Sequence, residues 1–165
     1  MSGRGAHLYL IRHGKAEDEH RLGDGARALT EEGRQEFRAH AEKMASHMKL
    51  TGIATSPLVR AVQTAELLAD ACRCDQVIVR GELEADHASA RSIESLCRSL
   101  GVGWALVGHN PSLAEALAHL TGYSHGAPRM RKGAIVALTP SPTGALPWLV
   151  AWAAAPGHKM KTTLD

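Results

Sequence analysis

Arg12-His13-Gly14, Ser56-Pro57-Leu58-Val59-Arg60 and Gly108-His109-Asn110-Pro111 are the segments of this chain whose residue types and order could do chemistry. A neutral imidazole is a nucleophile at neutral pH. A guanidinium offers a rigid fork of donors that pairs with the oxygens of a tetrahedral oxyanion. Two histidines and two arginines brought together would hold such an anion, neutralise its charge and present it to attack. Taken singly, His13, Arg60 or His109 would more often be a solvated or satisfied polar residue than a reactive one. Their joint placement, each directly after a short apolar run, is what sets them apart.

Those runs have to be strands if the residues are to meet. Segments 8–12, 53–55, 77–79, 104–108, 134–139 and 148–153 read as strands. Between the first four lie stripes of helical spacing: Phe37, Ala41, Met44 and Met48; Leu58 through Cys72; Ile93, Leu96, Cys97 and Leu100; then Leu113, Ala116, Leu117 and Leu120. Strand-helix-strand alternation favours a parallel α/β sheet with helices on both faces. Pro140-Ser141-Pro142-Thr143-Gly144 reads as a hairpin-like return between the last two strands, which would make the sheet mixed. Ligands of open α/β sheets bind beyond the carboxyl ends of the strands, where all three segments should converge. Ser56-Pro57 and Asn110-Pro111 read as a cap followed by proline at the first helical position, so two helix starts would face the same anion.

Composition bounds the rest. At 165 residues and 44% hydrophobic content, a single domain is expected over 1–165. A formal charge of +2 is too mild to argue for nucleic acid or a membrane surface as partner. Three cysteines, with no secretory signal, point to a reducing cytoplasmic setting and structural thiols. The apolar run near Trp148 is far short of the roughly 20 residues a membrane span needs. Residues 2–5 and 158–165 read as ragged polar ends without a chemical role.

Read together, Arg12-His13-Gly14-Lys15-Ala16-Glu17, Arg27-x-Leu29-Thr30-x-x-Gly33, Ser56-Pro57-Leu58-x-Arg60-Ala61-x-Gln63-Thr64 and Val107-Gly108-His109-Asn110-Pro111 resemble the histidine phosphatase superfamily, and within it the SixA-like phosphohistidine phosphatases. The resemblance spans nearly the whole chain. It implies a phosphoglycerate-mutase-like three-layer α/β/α sandwich and no metal or other cofactor. It implies that His13 becomes transiently phosphorylated, that Arg12, Arg60 and His109 hold the phosphate, and that Arg27 joins them. Asn110, at the second helix start, is a further expected substrate contact.

Superfamily members that cleave phosphate esters carry an acid after the third strand, and here Glu82, Glu84 and Asp86 are on offer without the usual flanking pattern. Glu82 and Glu84 are the candidate general acids. His40, His47 and His119 lie on expected helices away from the strand ends and read as surface residues, and Arg129-Met130-Arg131-Lys132 reads as a solvated loop rather than a guide for an acidic substrate. The expected activity is removal of phosphate from a phosphohistidine protein. A small-molecule phosphate monoesterase, or a pocket that binds phosphate without turning it over, are the other readings. A mutase is disfavoured, because little chain is spare for lids that exclude water.

Overall fold

The computed structural model describes residues 6–143 and 147–165. Its strands, β1 (Leu8–Arg12), β2 (Gly52–Thr55), β3 (Val77–Val79), β4 (Trp104–Gly108), β5 (Ile135–Thr139) and β6 (Leu149–Ala154), form one sheet in the order β3-β2-β4-β1-β5-β6. The first four pair in parallel, whereas β5 runs antiparallel to both β1 and β6. The strands lie where the apolar runs place them, to within a residue at each end, and the last two make the sheet mixed. Residues 2–5 and Gly144 of the expected turn lie outside the described residues.

Helices α1 (Glu31–Met44), α2 (Val59–Cys72), α3 (Ala90–Leu100) and α4 (Ser112–Thr121) cover the two faces in pairs. The two-residue period of the strands sorts the core between them. Leu8, Leu10, Ala54, Leu106, Val136 and Leu138 pack with α3 and α4. Tyr9, Ile11, Ile53, Ala105, Val107 and Ile135 pack with α1 and α2. A strand buried on both faces needs a continuous apolar run, and that is why β1 reads Leu-Tyr-Leu-Ile. The result is a three-layer α/β/α sandwich.

Two helix starts differ from the expectation. α2 begins at Val59 with Leu58 at its cap, and α4 begins at Ser112 with Pro111 at its cap, so neither Ser56 nor Asn110 caps a helix. Both side chains are engaged elsewhere. The Ser56 hydroxyl faces His109, and the Asn110 amide donates to the Met130 carbonyl. His40 also departs from the expectation: it is buried, with Nε2 at 3.2 Å from the Ala154 carbonyl. Its place on the buried stripe of α1, beside Phe37, Ala41 and Met44, accounts for that. Nor is the end of the chain ragged. Lys161 and Ala153 exchange two backbone hydrogen bonds of 2.8 Å, folding the last residues back beside β6.

The long β1–α1 connection is stitched to itself. Ala16 bridges Leu29, Glu17 N–H donates to the Ala28 carbonyl at 2.9 Å, and Thr30 N–H donates to the Lys15 carbonyl at 3.1 Å. Thr30 caps α1 by accepting from Gly33 N–H at 2.9 Å. Gly33 is required there because any Cβ would collide with the Lys15 carbonyl oxygen. In an open helix Gly→Ala gains about 0.5–1 kcal/mol, but forcing a methyl against backbone costs about 1–3 kcal/mol. Gly33→Ala should therefore lower stability by chemical denaturation, and a variant at least as stable as the parent would show that the connection does not approach α1 this closely.

Candidate active site

The central parallel strands deliver the site. His13 follows β1, Ser56 follows β2 and His109 follows β4, and the ladder continues into them: His13 N–H donates to the Gly108 carbonyl at 3.1 Å and Ser56 N–H to the Val107 carbonyl at 3.0 Å. This brings the two imidazoles together, with ring centroids 5.0 Å apart and planes at 55°. His13, His109 and Arg60 are buried, at 7%, 3% and 4% exposure. Arg60 reaches them from the first turn of α2.

Each side chain is aimed by a specific partner. His13 Nδ1 lies 2.7 Å from the Gly14 carbonyl oxygen. A carbonyl can only accept, so Nδ1 carries the proton and the Nε2 lone pair is free. Gly14 N–H donates to Thr64 Oγ1 at 3.0 Å, and that hydroxyl donates to the Arg60 carbonyl at 2.8 Å, which ties the His13 loop to the start of α2. His109 Nε2 lies 2.7 Å from Ser56 Oγ, and that oxygen accepts from Leu58 N–H at 3.2 Å, which leaves the hydroxyl hydrogen for the ring nitrogen.

The Met130 carbonyl accepts from Arg12 Nη1 at 2.9 Å and from Asn110 Nδ2 at 3.2 Å. Gly133, with φ +80°, gives its N–H to the carbonyls of both Arg12 and His13 at 3.0 Å, a close backbone approach that a side chain would strain.

Arg27 and Arg60 share one carboxylate. Asp24 Oδ1 accepts from Arg27 Nη1 at 2.8 Å, and Asp24 Oδ2 and its carbonyl accept from Arg60 at 3.1 and 2.9 Å. Arg27 Nε is fixed by the Glu17 carbonyl. Arg27 is thus beside Arg60, where the resemblance implies it, through an acidic bridge that the sequence does not announce.

Four buried side-chain atoms lack a hydrogen-bond partner among the described residues: Arg12 Nε, Arg60 Nε, His109 Nδ1 and Asn110 Oδ1. Buried polar atoms are nearly always paired, and these four belong to residues already singled out for binding. Burial is also the main reason that His13 is pushed down to about 3 and His109 to about 4, with Arg60 and Arg12 lowering both further. Both imidazoles are therefore neutral near pH 7.

The candidate acids sit differently. The Glu82 carboxylate is held by Arg80 through Nε at 3.1 Å and Nη2 at 3.0 Å, which keeps its pKa below the usual carboxylate range. That favours the charged form, the opposite of what a proton donor needs. Glu84 lies 3.0 Å from His87. Neither makes a hydrogen bond to His13, His109, Arg12 or Arg60. Residues that sequence reasoning passed over are Asp24, Thr64 and Met130. Ser56 was noticed for the wrong reason. Among the described residues, no cluster of His, Cys, Asp and Glu is arranged to hold a metal ion, and no helix is long and apolar enough to cross a membrane.

This geometry has counterparts. Residues 8–87 match the model of the histidine phosphatase superfamily, branch 1. A protein of Cronobacter sakazakii named as a probable phosphoglycerate mutase, GpmB, is 30% identical over 95% of this chain and 74% of its own. Its namesake from an Enterobacter species is 38% identical over 54% of this chain, a stretch that makes up only 43% of that relative. Among solved structures, a protein histidine phosphatase SixA complexed with tungstate superposes with a TM-score of 0.79 at 25% identity, covering 91% of this chain and 97% of its own. A mycobacterial glucosyl-3-phosphoglycerate phosphatase shares the fold, with a TM-score of 0.68 at 17% identity over 88% of this chain and 96% of its own. The chain belongs to the histidine phosphatase superfamily, and the enzyme class that goes with it is that of a phosphatase.

Proposed function

We propose that this enzyme hydrolyses phosphohistidine in a phosphoprotein, without a metal, through a phosphoryl group carried on Nε2 of His13. The observation that carries the reading is the set of unpartnered buried atoms on Arg12, Arg60, His109 and Asn110, gathered around a neutral imidazole whose Nε2 lone pair is free. The Ser56 hydroxyl donates a hydrogen bond to His109 Nε2, so that His109 Nδ1 bears the ring hydrogen and donates to a phosphoryl oxygen. Arg12 and Arg60 pair with the remaining oxygens as charge spreads over them in transfer.

In the first step the Nε2 lone pair of His13 attacks phosphorus while the bond to the leaving nitrogen breaks. The leaving ring departs as neutral imidazole, because its other nitrogen already carries a proton. In the second step water attacks phosphorus, the bond to Nε2 breaks, and inorganic phosphate departs. Asn110 Oδ1 is an acceptor able to orient that water. An imidazole leaves without a dedicated acid, whereas an alkoxide does not, and Glu82 is held in the charged form. The tungstate bound by the SixA-type phosphatase fits such an oxyanion pocket. The cytoplasm is the compartment proposed for the enzyme, supported by its free cysteines, of which Cys72 and Cys97, pushed up to about 11 and 12 by burial, are unreactive thiols.

Three outcomes are expected. First, His13→Ala abolishes turnover and Arg60→Ala lowers it by roughly a hundredfold or more, with circular dichroism unchanged; a folded His13→Ala variant that still turns over removes His13 as the nucleophile. EDTA leaves the rate unaltered, and a loss restored by a divalent cation would count against a metal-free pocket.

Second, kcat/KM is higher for a phosphohistidine peptide than for glycerate and sugar phosphates. The names of the GpmB relatives make a phosphoglycerate the competing substrate. Clear preference for an ester, lost in Glu82→Gln or Glu84→Gln, would establish that reading instead.

Third, imidazole NMR of the free enzyme shows His13 and His109 unprotonated from about pH 8 to about pH 5. Their folded pKa values, about 3 and about 4, lie below the unfolded value of about 6.5. The unfolded chain therefore binds protons that the folded one does not, and these two residues make stability fall as pH drops from about 6.5 toward 4, with no effect above that window. Titration of either ring near 6.5 would contradict the burial argument.

A further inference from the structure

Beside the catalytic pocket, at the same edge of the sheet, lies a second cavity of about 270 Å³. β5 starts and β6 ends at the carboxyl end of β1, since Ile135 pairs with both Ile11 and Ala154. The loop leading into β5 and the segment following β6 therefore both emerge there, and they wall this cavity. Its basic lining residues are Arg129, Arg131, His158, Lys159 and Lys161, against one acidic residue, Asp165. Met130, Val136 and Leu164 supply an apolar floor.

The wall is shared with the catalytic pocket. Met130 lies between Arg129 and Arg131, its side chain is buried, and its carbonyl is the acceptor that fixes Arg12 and Asn110. Arg129 and Arg131 are each one residue, at most roughly 3.8 Å of backbone, from that contact. Arg129, Arg131, Lys159 and Lys161 are exposed, and none of them is ion-paired with a carboxylate side chain among the described residues. Lys161 Nζ donates to a main-chain carboxylate oxygen of Asp165 at 3.1 Å, which leaves Arg129, Arg131 and Lys159 as the cations without such a contact among the described residues.

We infer that this basic cavity is a substrate-docking site, which receives an acidic segment of the phosphoprotein flanking the phosphohistidine. A subsite for a second small dianion would be built like Arg60, buried and held from two sides. Here the cations are long, exposed and spread around an apolar floor, which complements several carboxylates along a chain with an apolar side chain between them. The tetrapeptide Arg129-Met130-Arg131-Lys132 is then more than a solvated loop: its backbone braces Arg12, and its side chains select what approaches.

This inference rests on the phosphoprotein reading, and the experiment separates the two. Hydrolysis of two phosphohistidine peptides, one with acidic and one with neutral flanks, is compared for the wild type and for the Arg131→Ala, Lys159→Ala double variant. p-Nitrophenyl phosphate serves as a substrate too small to reach the cavity. Binding of the unphosphorylated acidic peptide is followed separately by fluorescence anisotropy. The wild type should favour the acidic peptide by roughly tenfold or more in kcat/KM at low salt, with the preference shrinking as salt rises. The double variant should lose the preference and the peptide binding while its p-nitrophenyl phosphate turnover stays at the wild-type level.

Equal handling of the two peptides by the wild type overturns the docking site. So does a double variant that loses p-nitrophenyl phosphate turnover in proportion, since the loop would then act only as a brace. A marked preference for a small bisphosphorylated compound, abolished in the double variant, would overturn it in favour of a second phosphate site. If no phosphohistidine peptide is hydrolysed yet the acidic peptide still binds and the double variant does not bind it, the docking site stands and the proposed activity falls.

Discussion

Two guanidiniums have to be held under the surface within electrostatic reach of the same two imidazoles, and most of the surrounding structure answers that requirement. Arg12 and Arg60 both depress the basicity of His13 and His109. Left to themselves, buried like charges would turn outward to water. They are prevented by acceptors that pin one edge of each fork: the Met130 carbonyl for Arg12, and Asp24, by both backbone and side chain, for Arg60. The opposite edge, at Nε, is what remains for a ligand in each case. Burial keeps the His13 ring neutral, and the same two cations add to that effect.

Those acceptors come from segments far apart in sequence, and the sheet is what brings them to one place. β1 and β4 are adjacent, which sets His13 beside His109. β5 lies on the other side of β1, and the loop entering it passes over the end of β1, where Gly133 clasps the carbonyls of Arg12 and His13. The antiparallel strands of an otherwise parallel sheet thus have a direct use: the chain enters β5 and leaves β6 at the same edge, so both of those connections lie beside the site.

The sequence showed the parts of the site that lie at ends of apolar runs. His13, Arg60 and His109 each follow a strand that is buried on both faces, and such strands are readable without an alignment. The partners that aim them were not readable. Asp24 and Arg27 stand three apart and could have been paired on spacing, but the contact of Asp24 with Arg60 spans 36 positions. Ser56 carried two conflicting signals, since serine before proline is a good cap, and the tertiary bond to His109 won. His40 sat on the apolar stripe of α1 all along; its polarity hid a burial that its spacing disclosed. The segment 158–165 misled by composition, because its pairing runs through the backbone of Lys161, which is indifferent to side-chain type.

Asp24 poses the remaining question, for its carboxylate lies across Arg27 and Arg60, two arginines that the resemblance gives to the phosphoryl group. On the proposed reading it would act as a threshold. Any approaching monocarboxylate would have to displace a carboxylate already present in the same chain, at high effective concentration and with the same charge, and would gain nothing by the exchange. A phosphoryl dianion brings more charge and more oxygens, and it also satisfies Arg12 Nε, Arg60 Nε and His109 Nδ1, which Asp24 leaves unpartnered. On that reading the exchange would favour a phosphoryl dianion over a monocarboxylate. If the basic cavity draws in acidic segments as inferred, such a filter matters most there, since without Asp24 their carboxylates would compete for the same arginines.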